Sequence, residues 1–135
     1  DFECRHNLNY WRGGEYLGLG PSAASHLCGR RFRNRTDLNA YLAGPTGLAE
    51  DSEELNIKDK AAEEAMLRLR LLAEGIKVSE LTAKFGQDNI ETLINRLEYM
   101  VSQGQLVADG SSYWLPPSRV LTSNPIFSQV LEAHR

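Results

Sequence analysis

The chain has 135 residues, of which 41% are hydrophobic and 24% are charged, and these values are near the average for soluble globular proteins. This length supports one domain, or one small domain with part of another. No apolar run is long enough to span a membrane, and no basic start precedes an apolar run, so neither a membrane span nor a signal peptide is expected. The two cysteines lie far apart in the sequence, which excludes a disulfide scaffold and a zinc site and favours a cytoplasmic location.

The charge is divided unevenly along the chain. Residues 1–43 carry six arginines, no lysine and four acids, whereas the later residues carry nine basic and fourteen acidic side chains. The overall charge of −3 therefore combines a weakly basic first segment with an acidic second one. We interpret the first segment as facing an anion, and the alternative is a set of scattered surface arginines.

The first residues predict short elements separated by glycines. Residues 7–11 are predicted to begin a short helix that Gly13 ends. Residues 16–20 are predicted to form a buried strand that opens into a loop of small residues at 21–25. Glycines and small residues in such a turn let the backbone approach a ligand closely.

Two further elements precede a turn-rich stretch. Residues 26–33 are predicted to be extended, and Thr36 or Asp37 is predicted to cap a helix that runs through Leu42. The sequence Gly-Pro-Thr-Gly at 44–47 then leads into an acidic run. We therefore predict a domain boundary at this turn.

The second half predicts a mainly helical domain. Apolar residues at helical spacing predict three helices, at 59–74, 78–85 and 88–103. A fourth helix is predicted to start at Asn124, which Pro125 follows directly. Gly75 is predicted to end the first of these helices and Ser79 to cap the second. Residues 106–108 and 113–115 flank the turn Asp-Gly-Ser-Ser and predict a β-hairpin. Helix, short helix, long helix and hairpin is the order of a winged helix.

The predicted winged helix lacks the charges that DNA binding requires. The exposed face of the helix at 88–103 is predicted to offer three acids and one arginine, and the hairpin turn at 109–112 holds no cation. Affinity for duplex DNA depends on the neutralisation of phosphates by Lys and Arg. We therefore expect no nucleic-acid partner, and a structural or protein-contacting module is the better interpretation of this half.

His6 stands among aromatic and cationic residues. A neutral imidazole binds iron through one ring nitrogen while a hydrogen bond holds the other, and aromatic rings provide flat apolar surface for a macrocycle. Tyr10 and Trp11 provide such rings, and Arg5 and Arg12 are able to pair with the carboxylates of an anionic ligand. From the residues alone, His6 is either a haem ligand or a hydrogen-bonded structural histidine.

The sequence from residue 4 to about 25 resembles a known family. The run His6-Asn7-x-x-Tyr10-Trp11 is followed by Gly-Gly-Glu-Tyr-Leu-Gly-Leu-Gly-Pro and then by Ala-x-Ser. It resembles the C-terminal part of the radical S-adenosylmethionine proteins related to oxygen-independent coproporphyrinogen III oxidase. Beyond Asp59 the resemblance lies in the order of helices and hairpin.

The motif also resembles one branch of this family. The oxidases have an Arg-Asn-x-Gln-Gly-Tyr type of sequence here, whereas His-Asn-x-x-Tyr-Trp is similar to the oxidase-like members regarded as haem chaperones. The resemblance implies that His6, Tyr10 and Trp11 bind haem and that His6 contacts the haem iron. It also implies that Ala24, in the run of small residues, contacts S-adenosylmethionine.

The resemblance implies an α+β fold. Residues 1–43 would be the last strand and helix of an incomplete α/β barrel, residues 44–58 a linker, and residues 59–135 a winged-helix-like, mainly α domain with a β-hairpin. Because the chain begins with Asp1 rather than Met, we expect the earlier part of the barrel to precede it. The family's Cys-x-x-x-Cys-x-x-Cys motif, which holds a [4Fe–4S] cluster for S-adenosylmethionine, is absent from this sequence, so we expect no catalysis by these residues alone.

Three functions follow as hypotheses. The first is that the whole protein binds haem and passes it to a recipient protein. The second is that it is an anaerobic coproporphyrinogen III oxidase, which oxidatively decarboxylates propionates of coproporphyrinogen III. The third is that the C-terminal half is a protein-interaction module without small-molecule chemistry.

Overall fold

The computed structural model describes residues 4–44, 49–53 and 55–133. Helices occur together with two small antiparallel sheets, so the fold is α+β, as predicted. In chain order the elements are α1 (Arg5–Trp11), β1 (Ala24–Leu27), β2 (Arg30–Asn34), α2 (Leu38–Ala43), β3 (Ala49–Glu53), α3 (Ile57–Arg68), β4 (Ile76–Lys77), α4 (Val78–Phe85), α5 (Gln87–Ser102), β5 (Val107–Ala108), β6 (Ser112–Trp114), a 3-10 helix (Pro117–Thr122) and α6 (Asn124–Leu131). No helix in the described part of the chain has the length and apolar character needed to cross a membrane.

The described residues form two compact units. The helical unit combines the residues up to Arg12 with those from Asn56 onward, and the sheet unit comprises the described residues between Gly13 and Leu55. Helix α1 therefore belongs with the C-terminal helices rather than with the strands that follow it. The residues at 44–58 that were predicted to be a linker contain β3 and the first turn of α3.

The core of the helical unit lies where α3 packs against α4, α5 and α6. Apolar side chains from all four helices and from the three-stranded sheet β4-β6-β5 meet there, and the completely buried ones are Ala61, Ala65, Leu69, Ile76, Leu81, Ile90, Leu97, Met100 and Val130. The period of α5 was predicted from sequence, and its residues Ile90, Leu93 and Leu97 are all buried. The hairpin was also predicted, and β4 adds a third strand that pairs with β6.

Helix α3 ends earlier than the sequence pattern indicates. It stops at Arg68, and the predicted last turn is instead an irregular segment that leads to Gly75. Along this irregular path Leu69 and Leu71 are buried and Leu72 is half-exposed. The predicted helix cap at Gly75 is therefore wrong, although the residue does adopt a positive φ of 62°. Ser79 is not a cap either, since Lys77 precedes α4 without a capping side chain.

The sheet unit is built on a tight β-hairpin. Strands β1 and β2 are joined by Cys28 and Gly29, whose φ angles of 50° and 72° match the left-handed pair of a type I′ turn. Strand β3 pairs with the other edge of β2. Asp37 caps α2 by accepting a hydrogen bond of 2.7 Å from the amide of Ala40, as predicted.

The predicted buried strand at 16–20 is not present. Only Tyr16 pairs with a strand, through a bridge to His26, and Leu17 and Leu19 are 61% and 82% exposed. Beyond that bridge, side chains rather than a neighbouring strand satisfy the backbone of Gly18 and Gly20. The run beyond Tyr16 is therefore held by side chains rather than by a sheet.

Candidate functional site

Helix α1 presents the residues of the His6 motif on two different faces. His6 and Tyr10 are one turn apart, so they share a face, and both are exposed. Trp11 follows His6 by five positions, which places it about 140° around the helix axis. Trp11 is half-buried and, with Asn7 and Leu8, lines a cavity whose other wall is the irregular segment after α3. The structure thus brings His6 and Tyr10 together and separates Trp11 from them.

An ion pair ties the end of α1 to that irregular segment. The Arg12 guanidinium donates from Nε to Glu74 Oε2 at 3.3 Å and from a terminal nitrogen to Glu74 Oε1. The hydrogen bond from Arg12 holds the pKa of the Glu74 carboxyl below its usual value of 4.5. Arg12 was predicted to pair with a ligand carboxylate, and instead it contacts a carboxylate of the chain itself. Arg5 lies on α1 and is exposed.

The contact between α1 and this segment is expected to loosen in acid. Because the folded-state pKa of Glu74 is lowered, the stabilisation by the pair is complete above the ordinary carboxyl value of 4.5 and is lost as the pH falls through the lowered pKa. In a Trp114→Phe background, where Trp11 is the remaining indole, the emission of Trp11 is expected to shift to longer wavelength through this acid range. Glu74→Gln should remove that transition. The same transition in both proteins would show that the pair does not hold α1.

The glycine-containing segment is held by side chains of the sheet unit. The Gly18 amide donates to Ser25 Oγ at 3.0 Å and the Gly20 amide to the Tyr41 hydroxyl at 3.0 Å. Asn34 Nδ2 donates to the carbonyl oxygens of both glycines, at 3.1 and 2.9 Å. A Cβ at Gly18 would lie 2.3 Å from a backbone oxygen, so this glycine is required by space. Sequence reasoning identified the glycines but missed the clamp, since Asn34 and Tyr41 stand far from them in the sequence.

Ala24 is the first residue of β1 and is exposed. It pairs in register with Arg33 of β2, and the next residue, Ser25, is completely buried. Only the backbone and a methyl group of Ala24 are available to a ligand. The contact of Ala24 with S-adenosylmethionine stays a prediction.

The cysteines do not fit an iron–sulfur cluster. The sequence has two cysteines, whereas the cluster motif that the resemblance implies has three. Cys4 precedes α1 and Cys28 lies in the β1–β2 turn, and both are free and exposed. No group of three or more His, Cys, Asp or Glu side chains suited to a metal occurs among the residues that the structure describes. A haem differs in its requirement, because one exposed imidazole such as that of His6 suffices as an axial ligand.

The long helix of the helical unit has an acidic exposed face. Asp88, Glu91 and Glu98 are exposed, whereas Arg96 is half-buried beside the ring of Tyr99. Tyr113 is 4% exposed and belongs to the core. Its hydroxyl donates a hydrogen bond to Glu98, and burial together with this bond raises the Tyr113 pKa well above its usual value of 10.0. The tyrosine therefore stays protonated and joins the hairpin to α5.

Comparison with known proteins relates the chain to HemN and HemW. The family model of the HemN C-terminal domain matches residues 55–118. The heme chaperone HemW of Lactococcus lactis is 29% identical over 131 residues, which cover 96% of this chain and 34% of that protein. The heme chaperone HemW of Mycobacterium tuberculosis is 32% identical over 118 residues, which cover 79% of this chain and 30% of that protein. The chain thus spans about a third of the length of these relatives.

A solved structure shows the same fold. Coproporphyrinogen III oxidase (HemN) from Escherichia coli, described as a radical SAM enzyme, superimposes with a TM-score of 0.59 at 14% identity, over 89% of this chain and 28% of that one. Residues 55–118 belong to the HemN C-terminal domain family, and the chain is similar to the HemW proteins over most of its length. The family resemblance seen in the sequence is confirmed. The HemN/HemW-like domain accounts for α3, α4, α5 and the hairpin, all of which begin within the matched residues.

Proposed function

We propose that the protein to which this chain belongs binds haem and passes it to a recipient protein, with His6 as the haem contact. The observation that carries the proposal is the placement of the motif: His6 is exposed on α1, and Tyr10 lies one turn away on the same face. A haem that approaches this face meets an imidazole nitrogen for its iron and an aromatic ring for its macrocycle. The relatives named as heme chaperones support this function for the whole protein.

Trp11 has a different part in this proposal. It is half-buried and lines the cavity between α1 and the segment after α3, whereas His6 does not. We infer that Tyr10 contacts the haem directly and that Trp11 acts as a positioning residue. Of the predicted haem-binding residues, His6 and Tyr10 would thus contact the haem, and Trp11 would position α1.

The remaining groups belong to the longer protein. The [4Fe–4S] cluster would be held by thiolates outside this chain, and S-adenosylmethionine would reach the glycine-containing segment near Ala24. We propose that residues 1–43 are the end of an α/β barrel, that residues from 59 onward form a winged-helix-like domain, and that the protein is cytoplasmic. Oxidative decarboxylation by the whole protein has less support, because the relatives reported above are named as chaperones and the oxidase shares only the fold.

A titration of the full 135-residue chain with haemin tests the role of His6. Wild-type protein is expected to give a saturable Soret shift, and His6→Ala is expected to weaken binding by about 10-fold or more, because removal of an axial ligand forfeits the bond to iron. His26→Ala is the matched control, since it removes one imidazole from a residue outside the motif. Equal Soret spectra and equal affinities for wild type and His6→Ala would contradict the proposal.

A further inference from the structure

A pocket lies between α1 and the irregular segment after α3, within the helical unit. Its volume is about 340 Å³, and its walls include Leu8 and Trp11 from one side and Leu71 and Leu72 from the other. This volume is at the lower end of the range for small-molecule sites, which is roughly 300–1,000 Å³. The pocket is therefore suited to a small organic molecule and not to a peptide or a helix. Its walls are mostly apolar.

Arg70 provides the net charge of this pocket. Glu74 also lines it, but the Arg12 guanidinium neutralises that carboxylate. Among the described residues, no carboxylate pairs with Arg70. The Arg70 guanidinium lies 4.6 Å from the centre of the Phe127 ring, and Phe127 is 7% exposed. The pocket thus presents an exposed cation, stacked on a buried ring, next to apolar surface.

We propose that this pocket binds a small organic anion, whose apolar body lies against Trp11 and Leu72 and whose acidic group meets Arg70. A carboxylate or sulfonate accepts charge-assisted hydrogen bonds from a guanidinium, and these are stronger than bonds between neutral groups. The inference is independent of haem binding, because His6 lies on another face of α1 and does not line the pocket.

Two fluorescent probes with the same aromatic body test the charge selection. Anilinonaphthalene sulfonate carries an anionic group, whereas phenylnaphthylamine is uncharged. The 135-residue chain is expected to bind the sulfonate, and Arg70→Gln is expected to weaken that binding about 10-fold, as the loss of one hydrogen bond to a charged group implies. Binding of phenylnaphthylamine should be unchanged by this substitution. Arg70→Lys, which keeps the charge, should retain most of the sulfonate affinity.

Two control variants distinguish the pocket from general charge and general apolar surface. Arg119→Gln removes an exposed arginine on the 3-10 helix, away from the lining residues, and should leave both affinities unchanged. Ala73→Phe places a ring in the pocket and should weaken both probes. Equal loss of sulfonate binding in Arg70→Gln and Arg119→Gln would overturn the proposal. Unaltered binding of both probes to Ala73→Phe would overturn it as well.

Discussion

Gly75→Ala is expected to destabilise the helical unit by about 3 kcal/mol, through backbone strain and a steric clash together. The φ angle of 62° is left-handed, and a Cβ would lie 2.4 Å from the Tyr113 carbonyl oxygen and 2.6 Å from Trp114 Cδ1. Neither atom is able to yield freely, because both belong to β6, the central strand of the three-stranded sheet. Chemical unfolding followed by circular dichroism measures the loss.

Gly104→Ala provides the matched control for this substitution. Gly104 has nearly the same φ, 67°, but nothing lies within 4 Å of the position that a Cβ would take. Its replacement should therefore cost only the left-handed strain, about 1 kcal/mol. The difference between the two variants measures the clash with β6. If both substitutions lower the free energy of unfolding by the same amount, the predicted clash of a Cβ at Gly75 with β6 is absent.

Glu64→Ala is expected to lower the free energy of unfolding by about 3 kcal/mol, because it removes one partner from a buried ion pair. Glu64 is 5% exposed in α3, and its carboxylate accepts from Arg68 Nε at 3.0 Å and from Lys84 Nζ. Lys84 lies on α4, so the carboxylate also joins two helices. Without it, the largely buried Arg68 keeps only its bond to Glu80.

Glu80→Ala tests whether burial is the reason for that effect. The Glu80 carboxylate also contacts Arg68, at 2.5 Å, but its side chain is 42% exposed. Exposed pairs contribute less than about 1 kcal/mol, since water screens them. Urea unfolding of the two variants at neutral pH should therefore show a loss several times larger for Glu64→Ala. Equal losses of stability in the two variants would show that the burial of Glu64 does not strengthen its ion pairs.

The sequence was most informative where one periodic pattern determined the structure. The bounds predicted for α4 are those observed, and α5 differs by one residue at each end, because its apolar positions leave a single face for the core. The β5–β6 hairpin was recognised from its turn residues. The family resemblance was carried by the motif that contains His6, which local residues define.

Predictions failed where distant residues determine the local conformation. Helix α3 ends at Arg68 because Leu69, Leu71 and Ile76 enter the core from an irregular backbone, and helical periodicity alone does not contain that information. The β1–β2 hairpin was missed because Cys28 stands where Asn or Asp usually marks such a turn. Nor does the motif reveal that Trp11 and His6 occupy different faces of α1, since that depends on which face packs.

The helical unit described above is discontinuous in sequence, and this affects where the chain is safely cut. Residues 55–118 match the family model, but α1 precedes them and α6 follows them. Helix α6 contributes Ile126, Phe127 and Val130 to the buried core, and α1 covers apolar side chains of the segment after α3. An expression fragment limited to the matched stretch would lack both helices and expose the surfaces they bury. The residues that identify the domain are therefore fewer than the residues needed to produce it as a folded unit.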